Sequence, residues 1–292
     1  MLIPKSERIA RVVITIFLIL LAIICVLPMV YELAVSFSTE SFVTTGQVTF
    51  WPVGFTTASY AYLMNYSSFW KSMLTSFERV LLQWLLCMVL TVLTAYPLSR
   101  TSKQLFGRTV LAWIFFIPMI FNGGLIPSYM VVSTLGLLGS IWALVLPSVV
   151  VTFYVLLLMN FIRSLPAEME EAAMIDGASP MQILIRIILP VMVPCLATIT
   201  VYTTLATWNE WFQGVIYMND PSQYPLMSYL RSTVLISNME NLTPQEQERL
   251  ANIGNKTYQA AQLFIASVPM LLVYPFLQKY FTKGLVLGSV KG

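Results

Sequence analysis

The sequence predicts an all-α integral membrane protein with six transmembrane helices, and three observations support that fold class. Only 10% of the 292 residues are charged and the mean hydropathy is +0.77, whereas soluble domains carry roughly 25% charged residues. Several stretches of about 20 residues, the length that crosses a bilayer as a helix, contain no charge. Most basic residues lie between these stretches.

The six spans follow from the charge-free stretches. The first follows a short basic segment, residues 1–11, and its apolar part is longer than the core of a cleavable signal peptide. The run 109–162 contains no charged residue, and as one helix it would measure about 81 Å. It must therefore cross twice, with a return near residues 136–140. We predict spans near residues 12–35, 72–99, 109–131, 140–162, 187–209 and 257–281.

The distribution of positive charge predicts the orientation. With the N-terminus inside, most of the 16 basic residues fall in cytoplasmic segments, while the outer segments carry most of the acidic ones. This is the asymmetry of the positive-inside rule. We therefore expect both termini in the cytoplasm and two long outer connections, 37–70 and 211–256. The polar stretch 243–250 is predicted to form a short surface helix.

Composition also excludes several function classes. The net charge of +3 is small and spread thinly, which disfavours nucleic-acid binding. The chain has no histidine, and its three cysteines lie inside apolar runs. We therefore expect no catalytic residues, no metal site and no cofactor in this chain. It also lacks the glycine-rich phosphate-binding motif of ATPases, so it should not hydrolyse ATP by itself.

The segment 163–186 carries the strongest local signal. Pro166 suits the first position of a helix, and acidic residues fill the early turns, where they complement the helix dipole. Gly177 can take the left-handed conformation that ends a helix. Ser179 and Gln182 have the spacing of a capping box that starts a second helix. The residues alone leave two alternatives open, a well-capped connector and a docking site for another protein.

The same segment resembles a known motif. Glu171-Ala172-Ala173, Asp176-Gly177, Ile187 and Leu189-Pro190 are similar to the EAA loop of permease subunits of ATP-binding-cassette (ABC) importers. One departure is Leu184, where many relatives carry phenylalanine, and both residues fill an apolar contact.

Other segments narrow the resemblance to carbohydrate permeases. Trp208-Asn209-Glu210-Trp211 resembles the signature of the MalG-like branch, and the terminal segment 278–292 resembles the cytoplasmic tail of that branch. Asn122-Gly-Gly-Leu-Ile-Pro127, with segments 135–137 and 142–147, is similar to the LplC/YtcP group.

The resemblance implies a type I ABC importer permease fold in a bacterial cell membrane. Such a subunit forms half of a sugar translocation pathway beside a second homologous permease subunit. The implied partners are two ABC ATPase subunits, which bind ATP and Mg²⁺, and an extracytoplasmic binding protein that delivers the sugar, an oligosaccharide or glycan. The residues implied in ATPase coupling are Glu170, Glu171, Ala172, Ala173, Asp176 and Gly177. The implied tail contacts of segment 282–292 are Lys283, Gly284, Lys291 and Gly292.

Polar residues near spans mark the expected pathway. Asn209 and Glu210, near the outer end of span five, are candidates for cargo contact, because polar groups at membrane depth often line a path. Trp208 and Trp211 are candidates either for stacking on sugar or for the interfacial aromatic belt. Asn122, Gly123, Gly124 and Pro127 interrupt span three, as a packing kink or as a gate. The adjacent pair Glu78 and Arg79 is interpreted as snorkelling to the outer interface.

Other classes of protein remain as alternatives. An importer of a non-sugar solute would share most of these features. An ion-coupled secondary transporter would carry ionisable residues in mid-span, and the charge-free span centres disfavour it. A membrane-embedded enzyme would need a catalytic cluster for which the sequence offers few residues.

Overall fold

The computed structural model describes residues 5–235 and 255–289, and all regular structure in these ranges is helical. Short 3₁₀ turns and irregular helical turns join some of the helices. The helices are α1 (Lys5–Ser36), α2 (Glu40–Thr44), α3 (Ala58–Asn65), α4 (Ser67–Ser99), α5 (Arg108–Ile120), α6 (Leu125–Thr134), α7 (Ile141–Val145), α8 (Thr152–Arg163), α9 (Glu168–Ile175), α10 (Pro180–Ile183), α11 (Leu189–Val191), α12 (Val193–Asn209), α13 (Phe212–Tyr217), α14 (Leu226–Leu230) and α15 (Asn255–Ser289).

Helices α1 and α4 are each long and apolar enough to cross a membrane. Three further pairs pass the same test only if each bent pair counts as one span, which gives up to five crossings within the described residues. The bends are 120° between α5 and α6, 47° between the α7 segment and α8, and 76° between the segment ending in α11 and α12. The count of six spans therefore stays a prediction, with α15 covering the last one.

The bends are the main difference from the straight spans that hydropathy predicts. Hydropathy predicted an uninterrupted crossing at 187–209, whereas the straight helix α12 begins at Val193 after the bend. Pro194 lies in the first turn of α12 and has no N–H to continue the helix of the preceding segment. The predicted return at 136–140 lies in a break between helices, since α6 ends at Thr134 and α7 begins at Ile141, and the return across the membrane stays a prediction. Gly136 and Gly139, which lie in this break, both have positive φ.

The chain divides into two units, of which the first comprises Met1–Phe69 and Ser232–Pro269. In this unit the end of α1 packs Ala34 and Val35 into a small apolar cluster with Val43 and Val48 of the connection that follows it. Glu40 accepts a hydrogen bond from the backbone N–H of Thr257 at 3.1 Å. A carboxylate at a helix N-terminus satisfies unpaired N–H groups, so Glu40 stabilises the start of α15.

The second unit comprises Trp70–Arg231 and Met270–Gly292. Its main core lies among α4, α8 and the segment from α10 to α12, where Cys87, Leu158, Ile188 and Ile199 are fully buried. A second cluster, centred on Leu144, joins α6, α7 and α13. These two cores position the two candidate sites described next, one at each end of α4.

Candidate functional site

The segment 163–186 forms two short helices around a left-handed glycine, as the sequence predicted. Gly177 has φ of +78°, and its N–H donates to the Met174 carbonyl at 3.0 Å. The N–H of Ala178 donates to the Ala173 carbonyl at 2.9 Å. This pair of hydrogen bonds is the Schellman motif, which satisfies the last carbonyls of a helix. The end of α9 is therefore encoded locally.

The capping box is also confirmed. The Ser179 hydroxyl accepts from the backbone N–H of Gln182 at 3.4 Å, and the Gln182 side chain accepts from the N–H of Ser179 at 2.8 Å. These reciprocal bonds satisfy two donors at the start of α10. Few residues lie between the two caps, so the angle between α9 and α10 is held by local hydrogen bonds.

One face of α9 is held by the chain itself. Glu170 forms a two-pronged ion pair with Arg100, the residue that follows α4, and one of its two contacts measures 3.0 Å. The Arg100 guanidinium lies 4.2 Å from the centre of the Tyr96 ring, and the Tyr96 hydroxyl donates to the Pro180 carbonyl at 3.3 Å. Ala173 is buried in the core. Two residues of the expected coupling set, Glu170 and Ala173, thus face their own chain.

The opposite face of α9 is open. Glu171, Ala172, Asp176 and Gly177 are all exposed. Ile175 lies among them with 86% of its surface exposed, so a large apolar side chain is available for contact. This surface combines two negative charges with an apolar centre, the composition of a protein-binding patch with a charged rim.

The C-terminal end of α4 is fixed by two arginines from other segments. Arg163 donates to the carbonyls of Leu98 at 3.1 Å and Ser99 at 3.2 Å, and Arg108 donates to the Leu98 carbonyl at 3.1 Å. The last carbonyls of a helix lack internal partners and carry partial negative charge. The arginines satisfy both needs, and they attach the end of α4 to the start of α5 and the end of α8.

The second candidate site lies near the other end of α4 and centres on Arg79. Its guanidinium forms an ion pair with the Glu210 carboxylate at 3.0 Å and donates to the Gln213 side chain at 2.6 Å. It also donates to the backbone carbonyls of Glu210 at 3.3 Å and Leu144 at 3.5 Å. One buried cation thereby joins α4, α7 and the junction between α12 and α13.

The interpretation of Arg79 as a snorkelling residue is wrong, because only 2% of its surface is exposed. Glu78 is exposed, as expected for a neighbour about 100° away around the helix. A signal was present in the sequence and was missed. Ser72, Ser76 and Gln83 share the helical spacing of Arg79 and are likewise buried, and together they form a polar stripe along an apolar helix.

The four side chains of the segment 208–211 lie in different environments. Trp208 is 2% exposed and packs edge-on against Phe77, with ring centres 5.2 Å apart. Glu210 is engaged by Arg79, whereas Asn209 is exposed at the end of α12. Trp211 is partly exposed, and the Arg231 guanidinium lies 4.5 Å from the centre of its ring. Only Asn209 and Trp211 therefore present their side chains outside the chain.

The predicted interruption of span three is confirmed as a break between α5 and α6. The Asn122 side chain accepts from the N–H of Gly124 at 2.9 Å. Gly124 has φ of +85° and ψ of −179°, a combination that is essentially restricted to glycine. Gly123 and Pro127 lie beside this turn and are exposed. The 120° bend makes this segment irregular, so the helix pair does not cross as one straight span.

The remaining predicted positions lie near the C-terminus and in the last outer connection. Positions 283 and 284 belong to helix α15, which continues to Ser289 rather than ending near 281. Lys291, Gly292 and the predicted surface helix 243–250 lie outside the described residues.

The chain has close relatives among known transport proteins. A permease of Bacillus subtilis strain 168, the polygalacturonan/rhamnogalacturonan transport system permease YtcP, is 37% identical over 276 residues, covering 94% of this chain and 96% of that protein. LplC of the same organism is 36% identical over 296 residues, covering 99% of this chain and 97% of LplC. The chain belongs to the family of sugar ABC transporter permeases. No protein-family model matches the chain.

A solved structure extends the likeness to three dimensions. The permease matches a chain in the crystal structure of a bacterial ABC transporter involved in the import of the acidic polysaccharide alginate, with a TM-score of 0.87 and 29% identity. The match covers 96% of this chain and 99% of the other. The permease is thus an integral membrane transport subunit with the fold of an ABC importer, and its relatives are transport subunits rather than enzymes.

Proposed function

We propose that this permease forms half of the translocation pathway of a sugar importer and is driven by a separate ATPase through the outward face of α9. The observation that carries the proposal is the division of α9 into two faces. Glu170 and Ala173 attach the helix to its own chain, while Glu171, Ala172, Asp176 and Gly177 remain exposed around Ile175. Because α9 is attached to the end of α4, a movement of a bound partner would displace α4 as well.

The exposed face suits a groove on an ATPase subunit. Glu171 and Asp176 supply charge for basic partner residues, and Ile175 supplies apolar contact area. Gly177 and Ala172 add little bulk, so a partner surface can approach the backbone closely. In this proposal Mg²⁺ and ATP bind to the ATPase, and Glu170 and Ala173 support the loop rather than contact the ATPase.

The proposal places both termini in the cytoplasm and the Arg79 site near the outer side. Two ATPase subunits, a second homologous permease subunit and an extracytoplasmic binding protein complete the assembly. A cleft of about 390 Å³ beside the outer part of α4 is lined by Lys71, Glu78 and Ser222, among others. Its exposed charges of both signs suit contact with the binding protein. Residues of the segment 282–292 are proposed to contact the ATPase pair.

Acidic oligosaccharides are the proposed cargo. The YtcP relative is named for polygalacturonan and rhamnogalacturonan, and the structural neighbour imports alginate. All of these glycans contain uronic acids, whose carboxylates distinguish them from neutral sugars. Asn209 and Trp211, which expose a side-chain amide and part of an indole ring, are the proposed cargo contacts. The irregular turn 122–127 is proposed as a gate.

A charge-reversal series tests the coupling. The permease would be reconstituted with its partner permease, ATPase and binding protein, and ATP hydrolysis measured with and without loaded binding protein. Glu171→Lys should abolish sugar-stimulated hydrolysis and reduce the retained ATPase, whereas Glu171→Gln should have a smaller effect. Lys103→Glu, a reversal at another exposed cytoplasmic position, is the matched control and should behave like the parent.

The same reconstitution distinguishes the alternatives. If Glu171→Lys shows normal sugar-stimulated ATP hydrolysis, α9 is a capped connector and not a docking site for the ATPase. Uptake by the permease alone, driven by an ion gradient, would favour a secondary transporter. Equal binding of neutral and uronate-containing oligosaccharides by the binding protein would overturn the proposed cargo class without affecting the coupling proposal.

A further inference from the structure

Helix α4 has a stripe of buried polar side chains that form hydrogen bonds with other helices at the points where those helices begin or end. Ser76, Arg79 and Gln83 lie three and four residues apart, so they share one face of the helix. Their exposures are 3%, 2% and 3%. Three polar side chains this deeply buried need hydrogen-bond partners.

Two members of the stripe bind backbone groups directly. The Ser76 hydroxyl accepts from the N–H of Leu226, at the start of α14, at 2.7 Å. The Gln83 amide donates to the carbonyl of Ser148, at the end of the turn between α7 and α8, at 2.7 Å. Helix ends carry backbone groups without internal partners. The stripe therefore satisfies the backbone where other helices break.

Arg79 does the same for two further breaks. It donates to the Leu144 carbonyl at 3.5 Å, in the last turn of α7, where backbone carbonyls lack donors within the helix. It donates to the Glu210 carbonyl at 3.3 Å, where the chain leaves α12 with extended backbone. Irregular backbone at membrane depth is tolerated only where such partners exist.

The carboxylate of Glu210 holds the same junction from the other side. It accepts from the backbone N–H of Phe212 at 2.8 Å and of Gln213 at 3.0 Å, at the start of α13. Arg79 binds this carboxylate and also the Gln213 side chain. Glu210 and Gln213 are thus tied to one guanidinium, while the Ser228 hydroxyl donates to the Trp211 carbonyl of the same junction at 2.6 Å.

We propose that Arg79 is a positioning residue of the transport pathway: it fixes the junction at Glu210 and thereby sets where Asn209 is presented at the end of α12. This inference rests on the proposed function, since Asn209 is the proposed cargo contact. A lysine at position 79 carries the charge but lacks the planar fork that reaches a carboxylate, an amide and two carbonyls together.

The test compares Arg79→Lys, Arg79→Gln and Gln213→Leu with the control Leu81→Val, which changes an exposed residue of the same helix two positions from Arg79. Each variant is combined with Asn209→Cys in a chain whose exposed Cys25 is replaced by serine. The rate of reaction with an impermeant maleimide is measured on the purified assembly in the absence of sugar. Sugar-stimulated ATPase activity is measured in parallel without the cysteine.

We expect Arg79→Lys and Arg79→Gln to change the labelling rate at position 209 and to lower the stimulated rate by about tenfold, since misplacing a positioned group by about 1 Å can cost a hundredfold. Gln213→Leu, which keeps the ion pair, should cause a smaller change in the same direction, and Leu81→Val none. Arg79→Lys with parental labelling and stimulation would overturn the proposal. If the Arg79 variants fail to assemble, a labelling rate in Gln213→Leu equal to that of the parent would also overturn the proposal. Because labelling needs no sugar, its outcome is independent of whether the parent proves to be a sugar importer.

Discussion

Glu170 on α9 forms an ion pair with Arg100, which directly follows the C-terminal end of α4. Their side chains are 13% and 18% exposed, so the pair is shielded from much of the solvent. Arg100 also stacks on Tyr96, and the Tyr96 hydroxyl reaches the Pro180 carbonyl. This latch, formed by Tyr96, Arg100, Glu170 and Pro180, attaches both short helices of the segment 163–186 to α4.

Breaking the latch should uncouple ATP hydrolysis from transport. Glu170→Gln or Arg100→Gln removes one partner of a partly buried pair, at a cost of roughly 1–3 kcal/mol to the attachment of α9. The outward face stays intact, so the ATPase should still bind. The measurement is the amount of sugar transported per ATP hydrolysed, which should fall in both variants.

The charge-swapped double variant, Arg100→Glu with Glu170→Arg, separates pairing from other effects. It should recover part of the coupling, although the cation stacked on Tyr96 is lost. A double variant no better than the worse single variant would show that the ion pair itself is not the coupling element.

Gly177 offers a test of backbone conformation. Gly177 has φ of +78°, and no atom lies within 4 Å of the position that a Cβ would occupy. A substitution there would therefore strain the backbone without a steric clash within the chain. Gly177→Val should cost about 1–3 kcal/mol and disrupt the end of α9, whereas Gly177→Asn should be tolerated because asparagine enters the left-handed region readily. Circular dichroism melting and ATPase retention would be measured. Loss of ATPase binding in both variants, without loss of stability, would indicate a steric limit set by the partner.

The turn between α5 and α6 provides a matched pair of glycines. Gly124 has a backbone conformation that is essentially restricted to glycine, while a Cβ at Gly123 would meet only Pro127 at 3.7 Å, an ordinary contact. Gly124→Ala should therefore lower the melting temperature of the purified assembly and reduce transport, at a cost of about 1–3 kcal/mol. Gly123→Ala should be close to neutral. Equal effects of the two substitutions would contradict the role assigned to the turn.

Cysteine labelling tests the orientation. In a chain lacking Cys25, a cysteine at the exposed position Ser222 should react with an impermeant thiol reagent in intact cells. A cysteine at the exposed position Lys103 should react only after permeabilisation, because the basic segments are expected inside. Cys87 and Cys195 are buried and should contribute little background. The reverse pattern would overturn the proposed orientation.

The features of this permease that the sequence alone determined are those encoded within a few neighbouring residues. Long apolar runs predicted the membrane helices, and the left-handed Gly177 and the Ser179 to Gln182 capping box were predicted and are found in the structure. Their hydrogen bonds close over a handful of positions, so local chemistry is enough to specify them.

The tertiary structure decided which side chains share a site. Arg79 and Glu210 are 131 positions apart, and Arg100 and Glu170 are 70 apart. Such pairs form only when several helices pack together, and no local pattern fixes the angles at which broken helices meet. From the sequence alone, Arg79 was therefore interpreted as an interfacial residue. In the folded chain it is buried, and its guanidinium donates to the carbonyls of Leu144 and Glu210, where helices break. A buried polar group must find partners, and only the fold determines which partners are within reach.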